Sequence, residues 1–214
     1  MKSREVNLET NEIKRQHIID VALKRFSYFG INKTTMGEIA EDISVSKANL
    51  YYYFPDKTAL IVGVITYLIA KAKTAFNNIL LESDDILDSL IAFLRLKRDF
   101  FEKHYLLHVT MGHADSNLNT SEINALGKYA EETELEVLQQ AFTNAIATKQ
   151  LVTFDVTKTS QIYFTILKGI AMVTIGKIAS KDIPETSIFS EICEKQKVAT
   201  IIFVNGLRHE LSVS

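Results

Sequence analysis

Pro55 and Pro184 are the only prolines in 214 residues, and glycine is held to eight. Both residue types interrupt helices, proline because it lacks an amide hydrogen and glycine because it loses most freedom on ordering. A chain so poor in breakers, in which Leu, Ile, Ala, Lys and Glu recur, is expected to be all-α, with about nine helices. Its length suffices for one large core or two smaller ones. Apolar residues at 47% and charged residues at 23% are ordinary values for a soluble globular protein.

A net charge of −2 excludes a uniformly basic coat, so any electrostatic footprint for nucleic acid must be local. Cys193 is the sole cysteine, which leaves no intrachain disulfide framework. The opening "MKSREVNLETNEIKRQ" has no apolar signal core. The apolar run Leu60–Ala70 is too short to span a bilayer and is followed by Lys71 and Lys73. A cytoplasmic protein without membrane contact is expected.

Residues 1–11 are polar and read as frayed. From Glu12 to Phe29 the apolar positions Ile18, Ala22, Phe26 and Phe29 make one helical face, which Gly30 closes. Thr35 and Glu38 fit a capping box for a short helix with Ile39, Ala40 and Ile43 inward. After the turn "ISVS", Ser46 is the natural N-cap of a helix running to Phe54, where Pro55 stops it. Asp56 can cap a long successor to about Leu81. Ser83 or Asp84 opens a helix to about His108, and residues 113–121 read as a loop. Residues 122–149 make an amphipathic helix, Asp155 or Thr157 caps another to about Lys181, and the last spans roughly 187–210.

Helix, short helix, tight turn, short helix and proline stop make a three-helix module containing a helix-turn-helix at about 35–54. In such modules the second helix of the pair enters the major groove of DNA. Leu50 and Phe54, four apart, share an inward face, so Tyr51 and Tyr52 project outward, where their hydroxyls can donate to phosphates. Tyr53 lies between the two faces. Lys47, Ala48 and Asn49 occupy the turn that reaches base edges, lysine suiting guanine O6 and N7 and asparagine suiting adenine. Ser46, Thr35 and Lys57 stand where helix N-termini attract phosphate.

The segments "IIDVALKRFSYFGI" and "TTMGEIAEDISVSKANLYYYFPDKTAL", within residues 14–60, resemble the DNA-binding domain of the tetracycline-repressor (TetR) family of transcriptional regulators. The resemblance implies that "VSKANLYYYF" is the recognition segment, that Thr35 begins the helix before the turn, and that Lys57 matches a phosphate-contacting lysine. Ile43 and Ser44 depart from the family pattern of a small residue and then glycine, and Ala48 replaces a common glycine. Two domains are implied: a DNA-binding domain at 1–57 and a helical regulatory and dimerisation domain at 58–214.

Family members form two-fold dimers and bind small molecules in that second domain. Here "YFTILKGIAMVTIGKIA" is apolar nearly all round, with Gly169 and Gly176 seven apart, and "VATIIFVNGL" is similar. Phe164, Gly169, Met172, Val173, Gly176, Ile201 and Val204 are the expected dimer residues. Phe76, Phe100, Phe101, Tyr105, His108, Met111, Phe142 and Tyr163 are candidate pocket linings. His104 and His108, four apart with His113 and Asp115 beyond, have a spacing that suits a metal, yet hydrogen-bonded histidines are commoner and no metal or cofactor is assigned.

The expected protein is therefore a homodimeric DNA-binding regulator, a repressor released from a near-palindromic operator by a small-molecule effector. The alternative is a helical small-molecule-binding protein or enzyme that keeps the helix-turn-helix shape without using it on DNA. No nucleophile–base pair, glycine-rich phosphate loop or carboxylate cluster favours an enzyme.

Overall fold

The computed structural model describes residues 2–107, 120–176 and 186–208, and among these there is no strand. The helices are α1 (Lys2–Phe29), α2 (Met36–Asp42), α3 (Lys47–Tyr53), α4 (Lys57–Glu82), α5 (Ile86–Lys103), α6 (105–107), α7 (Thr120–Ala147), α8 (Val156–Ile175) and α9 (Ser187–Arg208). The chain divides into two compact units. The first comprises Met1–Ala70 and His104–Lys128, the second Lys71–Lys103 and Tyr129–Ser214.

Unit 1 is built by local stops and starts. α1 reaches back to Lys2, well before Glu12, since no proline or glycine precedes that point. It ends at Gly30, whose φ of 80° is the left-handed conformation glycine adopts without strain. The chain turns there, so Ile31 takes the inward position and Phe29 is left on the surface rather than on the buried face. Thr35 accepts from the Glu38 amide, and the Glu38 carboxylate accepts from the Thr35 amide, closing the capping box of α2. The Ser46 side chain accepts from the Asn49 amide at the start of α3, and Asp56 accepts from Ala59 at the start of α4. Ile18, Ala22, Phe26, Ile31, Ile39, Leu50, Phe54 and Leu60 fill the core.

Ser44 holds a φ of 55° in the turn between α2 and α3. A side chain costs roughly 1 kcal/mol in that region, where glycine is unstrained. Ser44→Gly is therefore expected to stabilise the protein by up to about 1 kcal/mol, less what glycine's extra freedom adds to the unfolded state. Urea denaturation would register this as a higher midpoint with unchanged slope. A midpoint lowered by the full entropic cost of glycine, about 0.5–1 kcal/mol, would show that the turn carries no strain.

Unit 2 has a core of Phe76, Phe93, Leu94, Phe142, Tyr163, Leu167 and Val204, among others. α9 packs against both α5 and α8. The cap of α5 is Asp85, which accepts from the Leu87 and Asp88 amides, rather than Ser83 or Asp84. Asp85 also accepts from Arg208 at 2.6 Å. α7 starts at Thr120, inside the stretch expected as loop, and closes with Lys149 left-handed at φ 60° and the Gln150 amide bonded to the Ala145 carbonyl. Asp155 caps α8, accepting from Lys158. α8 ends at Ile175 with Gly176 as its cap, and the rest of the stretch expected to Lys181 lies outside the described residues.

α5 stops at Lys103 rather than near His108. His104 occupies a turn, is buried in unit 1 and sets Nδ1 2.8 Å from the Ser27 hydroxyl. His108, Met111, His113 and Asp115 lie outside the described residues. α4 runs on past Lys71 and Lys73, so by length and composition it could cross a membrane, although Leu60, Ile61, Val64, Leu68 and Phe76 are buried within the two units.

Candidate nucleic-acid interface

The frame of the helix-turn-helix is electrostatic as well as apolar. Arg25 on α1 forks onto both carboxylate oxygens of Asp42 at the end of α2, at 2.5 and 2.8 Å, and lies 3.4 Å from Glu38. This pairing holds the Asp42 carboxyl below the usual carboxylate range. Glu38 is also held low, first by the Thr35 hydroxyl and amide and then by Arg25. Leu50 on α3 and Phe54 at its C-terminal cap are sealed inward, and the Arg15 guanidinium sits 4.8 Å over the Phe54 ring.

With that face fixed, the opposite one is presented to solvent. Lys47, Ala48, Asn49, Tyr51 and Tyr52 are exposed, Tyr52 at 73%. Tyr53 is half-buried: its hydroxyl donates to Asn11 on α1 at 2.9 Å, and its ring meets Tyr52 edge-on. It braces α3 against α1. Ser46 is exposed, with its oxygen accepting from Asn49. Lys57 is half-buried in the first turn of α4. The Thr35 amide and hydroxyl both donate to Glu38, at 2.7 and 2.8 Å.

Residues 18–64 match the family model described as bacterial regulatory proteins, tetR family. The uncharacterised HTH-type transcriptional regulator YuxN of Bacillus subtilis (strain 168) is 39% identical over 71 residues, which cover 33% of this chain and 24% of YuxN. The chain thus matches about a quarter of that relative's length. IcaR of Staphylococcus aureus (strain Newman), a negative transcriptional regulator of a biofilm operon, is 26% identical over 62% of this chain and 77% of its own. A crystal structure of a transcriptional regulator from Cytophaga hutchinsonii superposes with a TM-score of 0.79 at 25% identity, covering 92% of this chain and 99% of that one.

Over residues 18–64 the chain is similar to the TetR family of bacterial regulators.

Unit 2 contains a cavity of about 300 Å³ lined by residues of α5, α7, α8 and α9. Its walls are mainly apolar, with Leu94, Phe101, Phe164, Leu167 and Ile192 prominent, and Cys193 also faces it. Lys97–Glu134 and Lys168–Glu131 ion pairs tie α7 to α5 and to α8 along its lining. Burial pushes the Cys193 thiol up, against a reactive thiolate.

Of the candidate linings, Phe101 is at this cavity, stacked on Phe189 at 5.8 Å, and Phe100 meets Phe101 edge-on. Phe76, Phe142 and Tyr163 are packed into the core, where Phe76 lies 4.5 Å from Phe93. Tyr163 shares a 2.7 Å hydrogen bond with Thr200. Tyr105 belongs to unit 1, half-buried, its phenol pushed up by desolvation. Leu94, Leu167 and Ile192 had no signal beyond helical periodicity, which marks an inward face and not a void beside it.

α8 and α9 each carry an exposed apolar stripe: Ile162, Met172, Val173 and Ile175 on one, Val198, Ile201 and Ile202 on the other. Gly176 is exposed and Gly169 half-buried on α8. Val204 is fully buried in its own core, and Phe164 turns to the cavity, so neither belongs to these stripes.

Proposed function

We propose that the chain is a sequence-specific DNA-binding repressor that acts as a two-fold homodimer and leaves its operator when a small molecule binds. The single observation that carries this reading is α3: one face sealed by Leu50 and Phe54, the other offering Lys47, Ala48, Asn49, Tyr51 and Tyr52 to solvent at the position of a recognition helix. Lys47 and Asn49 read base edges, while Tyr51, Tyr52, Ser46 and Lys57 hold the phosphate backbone. Thr35 acts through its cap, and Tyr53 through Asn11. Residues 1–57 serve as the DNA-binding domain and 58–214 as the regulatory and dimerisation domain.

The partner is double-stranded DNA of near-palindromic sequence, with half-sites roughly 34–36 Å apart. The stripes on α8 and α9, which include Met172, Val173 and Ile201, together with the exposed Gly176 at the end of α8, supply an isologous interface. The effector is a mainly apolar molecule for the cavity at Phe101; about 300 Å³ is at the small end of ligand sites. Repression agrees with what IcaR is named for, and the site of action is the cytoplasm. A ligand that favours a dimer with wrongly spaced recognition helices must weaken DNA binding by the ratio of its affinities for the two states. α4, continuous from Lys57 to Glu82 and contributing to both units, is the proposed link.

Selection of bound DNA from a random pool, with and without cell extract, tests this. A palindromic winner whose recovery falls in extract is expected, and a pool that never enriches would contradict the reading. On the selected site, Lys57→Ala is expected to weaken all sequences alike and lower the slope of log K against log salt by about one. An unchanged slope would remove Lys57 from the phosphate contacts.

A further inference from the structure

Gly37 is the second residue of α2 and lies under the side chain of Lys47 from α3. A Cβ built on Gly37 would stand 2.8 Å from Lys47 Cε and 3.1 Å from Nζ, closer than carbon atoms tolerate. The lysine stem therefore crosses the helix where no side chain stands in its way. A free lysine samples many rotamers; one laid over a neighbouring helix samples few and aims its ammonium one way.

The backbone of Gly37 does not need glycine, for it lies in a helix and its φ is not among the positive values of the chain. Alanine is the better helix former at such a position. On stability alone, then, glycine is the wrong choice.

We infer that Gly37 is a positioning residue for DNA recognition: its missing side chain seats Lys47 and so sets which base edge the ammonium reaches. This rests on the proposed DNA reading of α3. It predicts that stability and recognition move in opposite directions on one substitution, because the methyl group that favours α2 pushes aside a flexible lysine end and nothing else beyond ordinary contact.

The test uses Gly37→Ala, Lys47→Ala and the double variant in the full-length chain. Gly37→Ala is expected to raise the melting temperature by about 2–4 °C and to weaken the selected operator by about three- to tenfold, within the range one base contact controls. Nonspecific binding and its salt slope should stay unchanged. In the Lys47→Ala background the same change should alter operator affinity less than twofold. Equal losses in both backgrounds would show that Gly37 acts through α2 itself and overturn the inference.

A second measurement needs no DNA. In protein whose lysines are reductively methylated with ¹³C, the Lys47 resonance should shift in Gly37→Ala while the other lysine signals hold. A stationary Lys47 signal overturns the seat even if DNA binds well. A wild-type protein that retards no selected DNA overturns the DNA reading, and the role of Gly37 with it.

Discussion

Val173→Asp combined with Ile202→Asp is expected to give a folded monomer whose operator affinity falls by about 10²–10⁴-fold, the advantage that linking two half-sites confers. Both side chains are largely exposed in the single chain, at 64% and 69%. A carboxylate there costs each subunit little, since surface changes usually stay within about 0.5 kcal/mol. At a two-fold interface the same carboxylates occur on both partners, and burying like charges without counter-ions is among the most costly substitutions available. Sedimentation and circular dichroism separate the outcomes. A monomer with native helicity and poor DNA binding supports the α8–α9 interface, whereas a stable dimer carrying both aspartates would move the interface elsewhere.

Phe54→Ala is expected to destabilise unit 1 by about 3–5 kcal/mol, a large share of the stability of an ordinary domain. The ring is 1% exposed, Arg15 stacks over it, and a Cβ on Gly63 would come within 2.9 Å of its edge. Gly63 lets α4 approach so closely that only an aromatic edge fits, and a methyl group at 54 would leave a cavity that helices anchored by Arg25–Asp42 cannot easily close. Loss of this ring should also free α3, so DNA binding should fall with stability. Hydrogen exchange resolved along the chain would detect the loss in α1–α3 and not in α8–α9. A cost below about 1 kcal/mol would mean that the ring is not a keystone of the module.

Local chemistry was the legible part of the fold. Thr35 with Glu38, Ser46, Asp56 and Asp155 cap helices within three residues of themselves, so sequence spacing was enough to place them. Leu50 and Phe54 were placed inward by a spacing of four, and the exposure of Tyr51 and Tyr52 follows from it. Where neighbours competed, spacing failed: Ser83, Asp84 and Asp85 all look like caps, and a bond from Arg208, far along the chain, accompanies the choice of Asp85. Phe29 kept its helical period but lost its burial, since Gly30 turns the backbone before the period can be used. Val204, expected at the dimer interface on a helix apolar on several sides, is buried in its own core by the packing of α9, which periodicity alone does not reveal. The cavity at Phe101 and the lysine seat at Gly37 are spaces, and spaces appear only when distant elements are assembled.

In the proposed complex two copies of α3 grip one duplex. Titrating the selected operator, labelled with a fluorophore, against the protein measures it most directly through stoichiometry and half-site dependence. Two chains per full palindrome, with affinity collapsing on a single half-site, is the predicted result. Saturation at one chain per duplex, or equal affinity for the half-site and the full palindrome, would contradict it.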